Sequence, residues 1–417
     1  MRKWGIFFTI LMLFSFILPG AQASNQNGFD HKKRFKTGLE QLLNHEMKVL
    51  KGKKVGLITN PTGVDRNLNS IVDVLYNHPD IELKALYGPE HGVRGSAQAG
   101  EYVEFYNDPK TGLPVYSLYG ATKKPTPEML EGIDVLVFDI QDVGTRFYTY
   151  IYTMAYAMEA AKENNIPFVV LDRPNPLGGK EVEGPVLNPA YSSFVGLYPI
   201  PLRHGMTVGE LAKLFNKEFS IGADLKVVEM KGWKRSWSYE DSGLEWVLPS
   251  PNMPTKDTAL VYPGSALIEG TNVSEGRGTT KPFELIGAPF INGDQLAEKL
   301  NKEALPGVSF RAASFTPASS KHAGKLSHGV EIHVKDEKLF QPVLTGITLV
   351  KAIHDLYPND FAFRAEDSRG ISFFDLLTGN GWVREYIETG RTVDEIVSRY
   401  DQELEDFKDV RKKYLLY

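Results

Sequence analysis

The strongest constraint on the fold is an alternation between residues 54 and 172, where short apolar runs take turns with amphipathic stretches. Lys54-Val55-Gly56-Leu57-Ile58-Thr59 has the length and composition of a strand and stops at Asn60-Pro61-Thr62-Gly63. Helical spacing follows over 69–78, with Ile71, Val72, Leu75 and Tyr76 on one face. Further strands are predicted over 81–87, 113–119, 134–138 and 166–171, and a long helix over 147–164. Past its aspartate, the run Asp134-Val135-Leu136-Val137-Phe138 is continuously apolar, as a parallel strand buried on both faces requires. This pattern predicts an α/β fold on a doubly wound, largely parallel sheet.

Parallel strands all point one way, so the residues after each strand collect along one edge. These are TNPTG at 59–63, GPEHG at 88–92, DIQDVGTR at 139–146 and DRPNP at 172–176. In open α/β sheets that edge is where ligands bind. A turn after residue 88 needs Pro89 and Gly92, but it does not need Glu90, His91 and Arg94. Glu90 has a structural reading as the cap of a following helix; the two ionisable neighbours favour chemistry. Asp139 and Asp142 read either as an N-cap and a turn former or as carboxylates facing Glu90. Arg146 falls at the start of the predicted helix, where the dipole disfavours a cation unless an anion faces it. Asp172 and Arg173 read as a neighbouring ion pair on a stiff loop. His204 precedes a capping box, Thr207 to Glu210, and is either a loop residue or a second face of the same cleft.

A second organisation begins near 221. Residues 249–263, PSPNMPTKDTALVYP, carry four prolines and read as a connection between domains. The Gly- and Thr-rich stretch 270–289 is expected to be irregular. Helices predicted over 293–303, 344–354 and 393–407, with a strand over 328–334, make a smaller α/β domain. Glu269, Asn272, Glu275 and Arg277 cluster in a glycine-rich loop that allows close approach to a ligand, so this loop is expected to line the cleft.

Several chemistries are disfavoured. The chain has no G-x-G-x-x-G, no G-x-x-x-x-G-K-[ST], no G-x-S-x-G and no H-E-x-x-H. With zero cysteines in 417 residues, disulfides, thiolate metal sites and cysteine nucleophiles are all excluded. His322, His328 and His333 are near in sequence, but the odd spacing of the last two sends them to opposite faces of a strand. No metal site is expected. A net charge of −5 argues against nucleic acid as a partner. Arg2 and Lys3, the apolar run from Trp4 to Leu18, and Ala21-Gln22-Ala23 predict a cleaved secretory signal at 1–23. No later segment is apolar and long enough to span a membrane. The remaining chain, roughly 390 residues, suits two domains of ordinary size.

LITNPTGVD (57–65), YGPEHGVRG (87–95), DIQDVGTRFYTYIYTM (139–154), LDRPNPLGG (171–179), VEGP (182–185) and SEGRGTTKPFE (274–284) carry a resemblance to the NamZ-type exo-β-N-acetylmuramidases. It covers nearly all the chain after the leader. It implies a Rossmann-like catalytic domain at 24–258, a smaller domain at 259–417 and a cleft between them. It implies hydrolysis of terminal β-1,4-linked N-acetylmuramic acid from the non-reducing ends of peptidoglycan fragments during cell-wall turnover and recovery. Its partners would be peptidoglycan-derived disaccharides or muropeptides, and no cofactor is called for; the leader at 1–23 predicts a secreted or cell-wall-associated location. Such hydrolysis needs an acid for the leaving oxygen and a group that stabilises the oxocarbenium-like centre. Glu90 is expected as acid/base and Glu275 as second carboxylate, with Asp139 or Asp142 in reserve. The sugar's own 2-acetamido group is the alternative nucleophile. Arg146 or Arg277 would pair with the lactyl carboxylate, and Asn60, His91, Arg94 and Asn272 would complete the binding surface. A non-catalytic sugar-binding protein using the same cleft, and a metallohydrolase, are the competing readings.

Overall fold

The computed structural model describes Met1 and residues 35–95, 97–98, 100–101 and 103–417. Apart from Met1, the expected secretory leader lies outside the described residues.

Strands β1 (Lys54–Thr59), β2 (Glu82–Gly88), β3 (Tyr106–Asn107), β4 (Pro114–Ser117), β5 (Val135–Asp139) and β6 (Phe168–Leu171) follow in chain order. The hairpin pair β7 (Glu183–Val186) and β8 (Pro201–Arg203) comes next, then β9 (Leu225–Val228). Seven of these form one sheet in the order β3-β4-β2-β1-β5-β6-β9, parallel except for the β3–β4 pair. The chain winds from β1 outward through β2 to β4 and returns to β5 on the other side of β1. That reversal is the switch point of a doubly wound sheet.

Side-chain alternation divides the core between the two faces. Val135 and Val137 of β5 join an apolar cluster with Leu57, Ile71, Leu75 and Val169, under the helix Ile71–Tyr76. Leu136 and Phe138 face the other way, into a cluster with Phe168, Ile151 and Met158 of the helix Tyr150–Glu163. All five residues of β5 are buried, which accounts for its apolar run from Val135 to Phe138.

The second cluster runs on into the C-terminal part, through Ile286, Val330 and Ile347. There β10 (Leu285–Ala288), β11 (Val308–Phe315) and β12 (Ser327–Val334) form an antiparallel sheet in the order β10-β12-β11. The helices Gly293–Lys302, Pro342–Leu356 and Val393–Lys412 match the predicted positions.

Three expectations are corrected. The proline-rich stretch 249–263 is not all connection, because a helix runs over Lys256–Ser265. The Thr255 side chain caps it by accepting from Thr258 N–H, and its one internal proline, Pro263, sits near the end. The long helix starts at Tyr150 and not at 147, which takes Arg146 off the helix. Finally, among the described residues no helix lies between β2 and β3, so the capping reading of Glu90 falls.

Candidate active site

Glu90 sits two residues past the end of β2, and the local backbone explains why it is held there. Gly92 N–H donates to the Pro89 carbonyl (2.9 Å), closing a tight turn. His91 has φ +72°, a left-handed conformation that costs a side chain about 1–2 kcal/mol. Its ring offsets that by engaging the Ala97 carbonyl through Nδ1 at 2.8 Å. Strain of this kind, fixed by the surroundings, concentrates at functional sites.

The Glu90 carboxylate is fixed from both sides. Oε1 accepts from Gly100 N–H (3.2 Å), and Oε2 accepts from the Thr149 hydroxyl (3.1 Å). Thr149 occupies the N-cap position of the helix Tyr150–Glu163 but makes no capping bond with it. Its hydroxyl serves Glu90 instead of the helix. The phenol of Tyr119 also bonds to Glu90; burial and that negative charge push its pKa up to about 12.

Glu90 and His91 open into a pocket whose walls are aromatic: Phe147, Tyr148, Tyr150, Tyr262 and Phe283. The rings interlock edge-to-face, with Tyr148–Tyr150 centroids 5.0 Å apart, Tyr148–Tyr262 5.8 Å and Tyr262–Phe283 4.7 Å. Burial drives the Tyr148 and Tyr262 phenols well above 10, so both stay neutral. Ser250, Asn252 and Met253 close the pocket from the loop before the helix Lys256–Ser265. Arg277 brings the positive charge. Its guanidinium lies 5.0 Å over the Phe283 ring and is held by Glu269 at 3.0 Å. Among the described residues lining the pocket, Glu90 is the one carboxylate.

Of the residues singled out from sequence, Glu90, His91 and Arg277 therefore meet. Asn60 stands behind the wall: its Nδ2 donates to the Pro249 carbonyl (3.3 Å), which also accepts from the Tyr150 hydroxyl. Glu275 is 2% exposed and sits behind Arg277, not in the pocket lining. Its Oε1 lies 3.3 Å from Arg277 Nε, and its Oε2 lies 2.9 Å from Lys321 Nζ.

The other candidates are structural. Asp139 forms a fully buried two-point ion pair with Arg173, at 2.5 and 2.8 Å. Arg173 thus pairs across two strands and not with its neighbour Asp172, which accepts from Thr207, Gly209 and Tyr417. Asp142 accepts from Gly144 N–H and faces the buried His204 at 3.4 Å. Arg94 is tied to Asp108 (2.6 Å). Asn272 bridges to the main chain of Asp360 and Ala362. Among the described residues, no group of three His, Asp or Glu is placed to hold a metal ion.

Arg146 is the clearest correction. It is fully buried and donates to the carbonyls of Pro185, Ile200 and Leu377, at 2.8, 3.0 and 2.7 Å. Among the described residues no carboxylate forms an ion pair with it, and burial lowers its pKa to about 10. It is a clamp between chain segments, not a reader of substrate. Arg146→Met takes a donor from three buried carbonyls, of which that of Ile200 keeps Leu187 N–H (3.3 Å), while those of Pro185 and Leu377 lose the guanidinium, at ~1–3 kcal/mol each. A loss of more than about 3 kcal/mol of stability is expected, with the preference for an acidic sugar unchanged. Denaturant unfolding, together with rates on paired sugars, checks both halves.

Sequence reasoning missed the aromatic wall. The helical spacing over 147–164 takes in Tyr148 and Tyr150, although the helix starts only at Tyr150, and Tyr262 falls in the stretch that reads as a connection. The alternation of aromatics over 147–152, FYTYIY, was the available signal.

Two family descriptions match the chain: the N-terminal part of exo-beta-N-acetylmuramidase NamZ over residues 55–257, and its C-terminal part over 260–417. The chain is 62% identical over 412 residues to the peptidoglycan beta-N-acetylmuramidase NamZ of Bacillus subtilis (strain 168), covering 99% of this chain and 98% of that one. It is also similar to two crystal structures of DUF1343 family proteins from Bacteroides fragilis NCTC 9343. One superposes with a TM-score of 0.85 at 43% identity, the other with 0.75 at 35%; each match covers 92% of this chain and 99% of the other.

Proposed function

The chain belongs to the NamZ family of exo-β-N-acetylmuramidases, and from that premise we propose that its aromatic pocket is where N-acetylmuramic acid is cut from peptidoglycan fragments, with Glu90 as acid and base. The protein is a glycosidase acting on peptidoglycan. The observation that carries the assignment of roles is the one carboxylate among the described residues lining the pocket, anchored by Gly100 and Thr149 at the carboxyl edge of the sheet.

A second carboxylate within reach of the sugar would serve as nucleophile or base. Glu275, the sequence candidate, has both oxygens engaged by cations and is almost wholly buried. That favours the substrate's 2-acetamido group as the internal nucleophile. Glu90 then gives its proton to the glycosidic oxygen as the C1–O bond breaks, and the acetamido carbonyl oxygen bonds to C1 from the opposite face. Water next attacks C1, giving its proton to the Glu90 carboxylate and reopening the ring. Two inversions leave the β configuration. Around this centre the aromatic rings and neutral phenols wall the pocket and keep bulk water out.

The test is the purified protein on a β-1,4-linked MurNAc–GlcNAc disaccharide, with products identified by mass and the first-formed anomer read by proton NMR. Free N-acetylmuramic acid appearing as the β anomer is expected. An α anomer formed first would overturn the acetamido route. Binding without release of sugar would favour a non-catalytic binding protein.

A further inference from the structure

Behind Arg277 lies a cluster of four charges: Glu269, Glu275, Arg277 and Lys321. Arg277 meets Glu269 at 3.0 Å and Glu275 at 3.3 Å, and Lys321 meets Glu275 at 2.9 Å. Two carboxylates against two cations leave the group neutral. Lys321 comes from the β11–β12 connection, far along the chain from the loop that carries Arg277. Its ammonium donates to the carbonyls of Ile268 (2.9 Å) and Thr271 (3.0 Å). Its neighbours hold the same loop: His322 Nε2 contacts the Asn272 carbonyl at 2.8 Å, and Ala318 N–H donates to Gly278 (2.9 Å). Ser320 and His322 both adopt left-handed backbone, φ +68° and +57°, to make this grip. Burial costs Lys321 part of its affinity for its proton, and the nearby Arg364 adds to that cost, while Glu275 and Glu269 oppose both.

Lys321 has a consequence for the pocket. Without it, Glu275 would stay buried with Arg277 as the one cation left in an ion pair with it among the described residues, and two carboxylates would compete for that guanidinium. A buried carboxylate that loses its partner takes whatever cation remains. Arg277 would turn inward and the cluster would carry a net charge of −1, facing a sugar that is itself an anion.

We propose that Lys321 is a specificity-positioning residue: by holding Glu275 it frees Arg277 to face the pocket, and so sets the preference for a sugar bearing a lactyl carboxylate over plain N-acetylglucosamine. The proposal rests on the reading of Arg277 as the group that meets that carboxylate.

The experiment uses paired chromogenic β-glycosides with and without the lactyl group, and compares kcat/KM for the wild type, Lys321→Met, Lys321→Gln, Arg277→Lys and the double variant Lys321→Met/Glu275→Gln. Lys321→Gln keeps donors for the two main-chain carbonyls while removing the charge, so it stands in if the methionine variant is too unstable to purify. In both single Lys321 variants the preference for the lactyl substrate is expected to fall about tenfold, the scale of one uncompensated charge several ångströms away. The loss should appear mainly in KM, with the lactyl-free substrate nearly unaffected. The double variant restores neutrality and should regain most of the preference. Equal losses on both substrates, or no recovery in the double variant, would make Lys321 a structural clamp and overturn the proposal. If Arg277→Lys itself keeps the wild-type preference, the premise fails. If it loses the preference while the Lys321 variants keep theirs, the premise stands and the role of Lys321 falls.

Discussion

Glu90→Gln is expected to lower turnover of the disaccharide by ~10²–10⁴, the usual contribution of a positioned general acid, while the melting temperature stays where it is. The substitution keeps the shape of the side chain. The amide oxygen still accepts from Gly100 N–H, and the Thr149 hydroxyl turns from donor to acceptor against the new NH2. What is lost is the proton. The departing sugar alkoxide is a poor leaving group and needs that proton as the C1–O bond breaks, whereas a nitrophenolate leaves with little help. The defect should therefore be larger on the natural disaccharide than on a nitrophenyl glycoside. A uniform loss across leaving groups would point to a disturbed pocket, and a loss below about tenfold on the disaccharide would remove Glu90 from the acid role.

Glu90 shows what kind of site a sequence makes legible. Strands β1, β2, β5 and β6 could be read because each is a short apolar run ended by a turn, and β5, buried on both faces, shows no polar alternation at all. Once the strands are parallel, their carboxyl ends must share an edge, and ionisable residues there stand out against the surrounding turns. Glu90 and His91 needed nothing more. Their burden is local, a strained turn within a few residues of the strand, and local information survives in sequence.

Arg146, Asp139 and Asp142 lie on that edge too and were misread, for a physical reason. Being at the edge does not determine which layer a side chain enters. Asp139 ends β5, Arg173 lies two residues past the end of the adjacent β6, and the two find each other beneath the surface. Arg146 precedes the helix instead of opening it, so the dipole argument had no helix to act on. Its carbonyl partners come from residues 185, 200 and 377, contacts made only when the chain has closed on itself. The aromatic wall was hidden differently. Tyr262 and Phe283 approach Tyr148 from distant segments, and a tyrosine in sequence carries no mark of whether it will line a pocket or fill a core.

Arg277→Lys is expected to cost discrimination more than rate, because the guanidinium is already oriented before any sugar arrives. It rests on the Phe283 ring at 5.0 Å and is gripped by Glu269, with Glu275 behind. Burial works against its charge, yet the two carboxylates and Tyr262 raise its hold on the proton above that of a free arginine. A lysine keeps the charge but not the planar fork, so it cannot meet two carboxylates from behind and pair a third in two-point geometry in front. Loss of a hydrogen bond to a charged group is worth roughly 1.5–3 kcal/mol, or about 10- to 150-fold in kcat/KM. That loss falls on the lactyl-bearing substrate alone. On the lactyl-free glycoside the lysine variant should run close to wild type, since Glu90 and the acetamido chemistry are untouched. The ratio of the two kcat/KM values is the quantity to measure, and it cancels any general loss of folded enzyme. With Arg146 sequestered among carbonyls, Arg277 is the arginine that lines this pocket among the described residues. A variant that kept the wild-type ratio would therefore shift recognition of the lactyl group onto the neutral hydroxyls and His91.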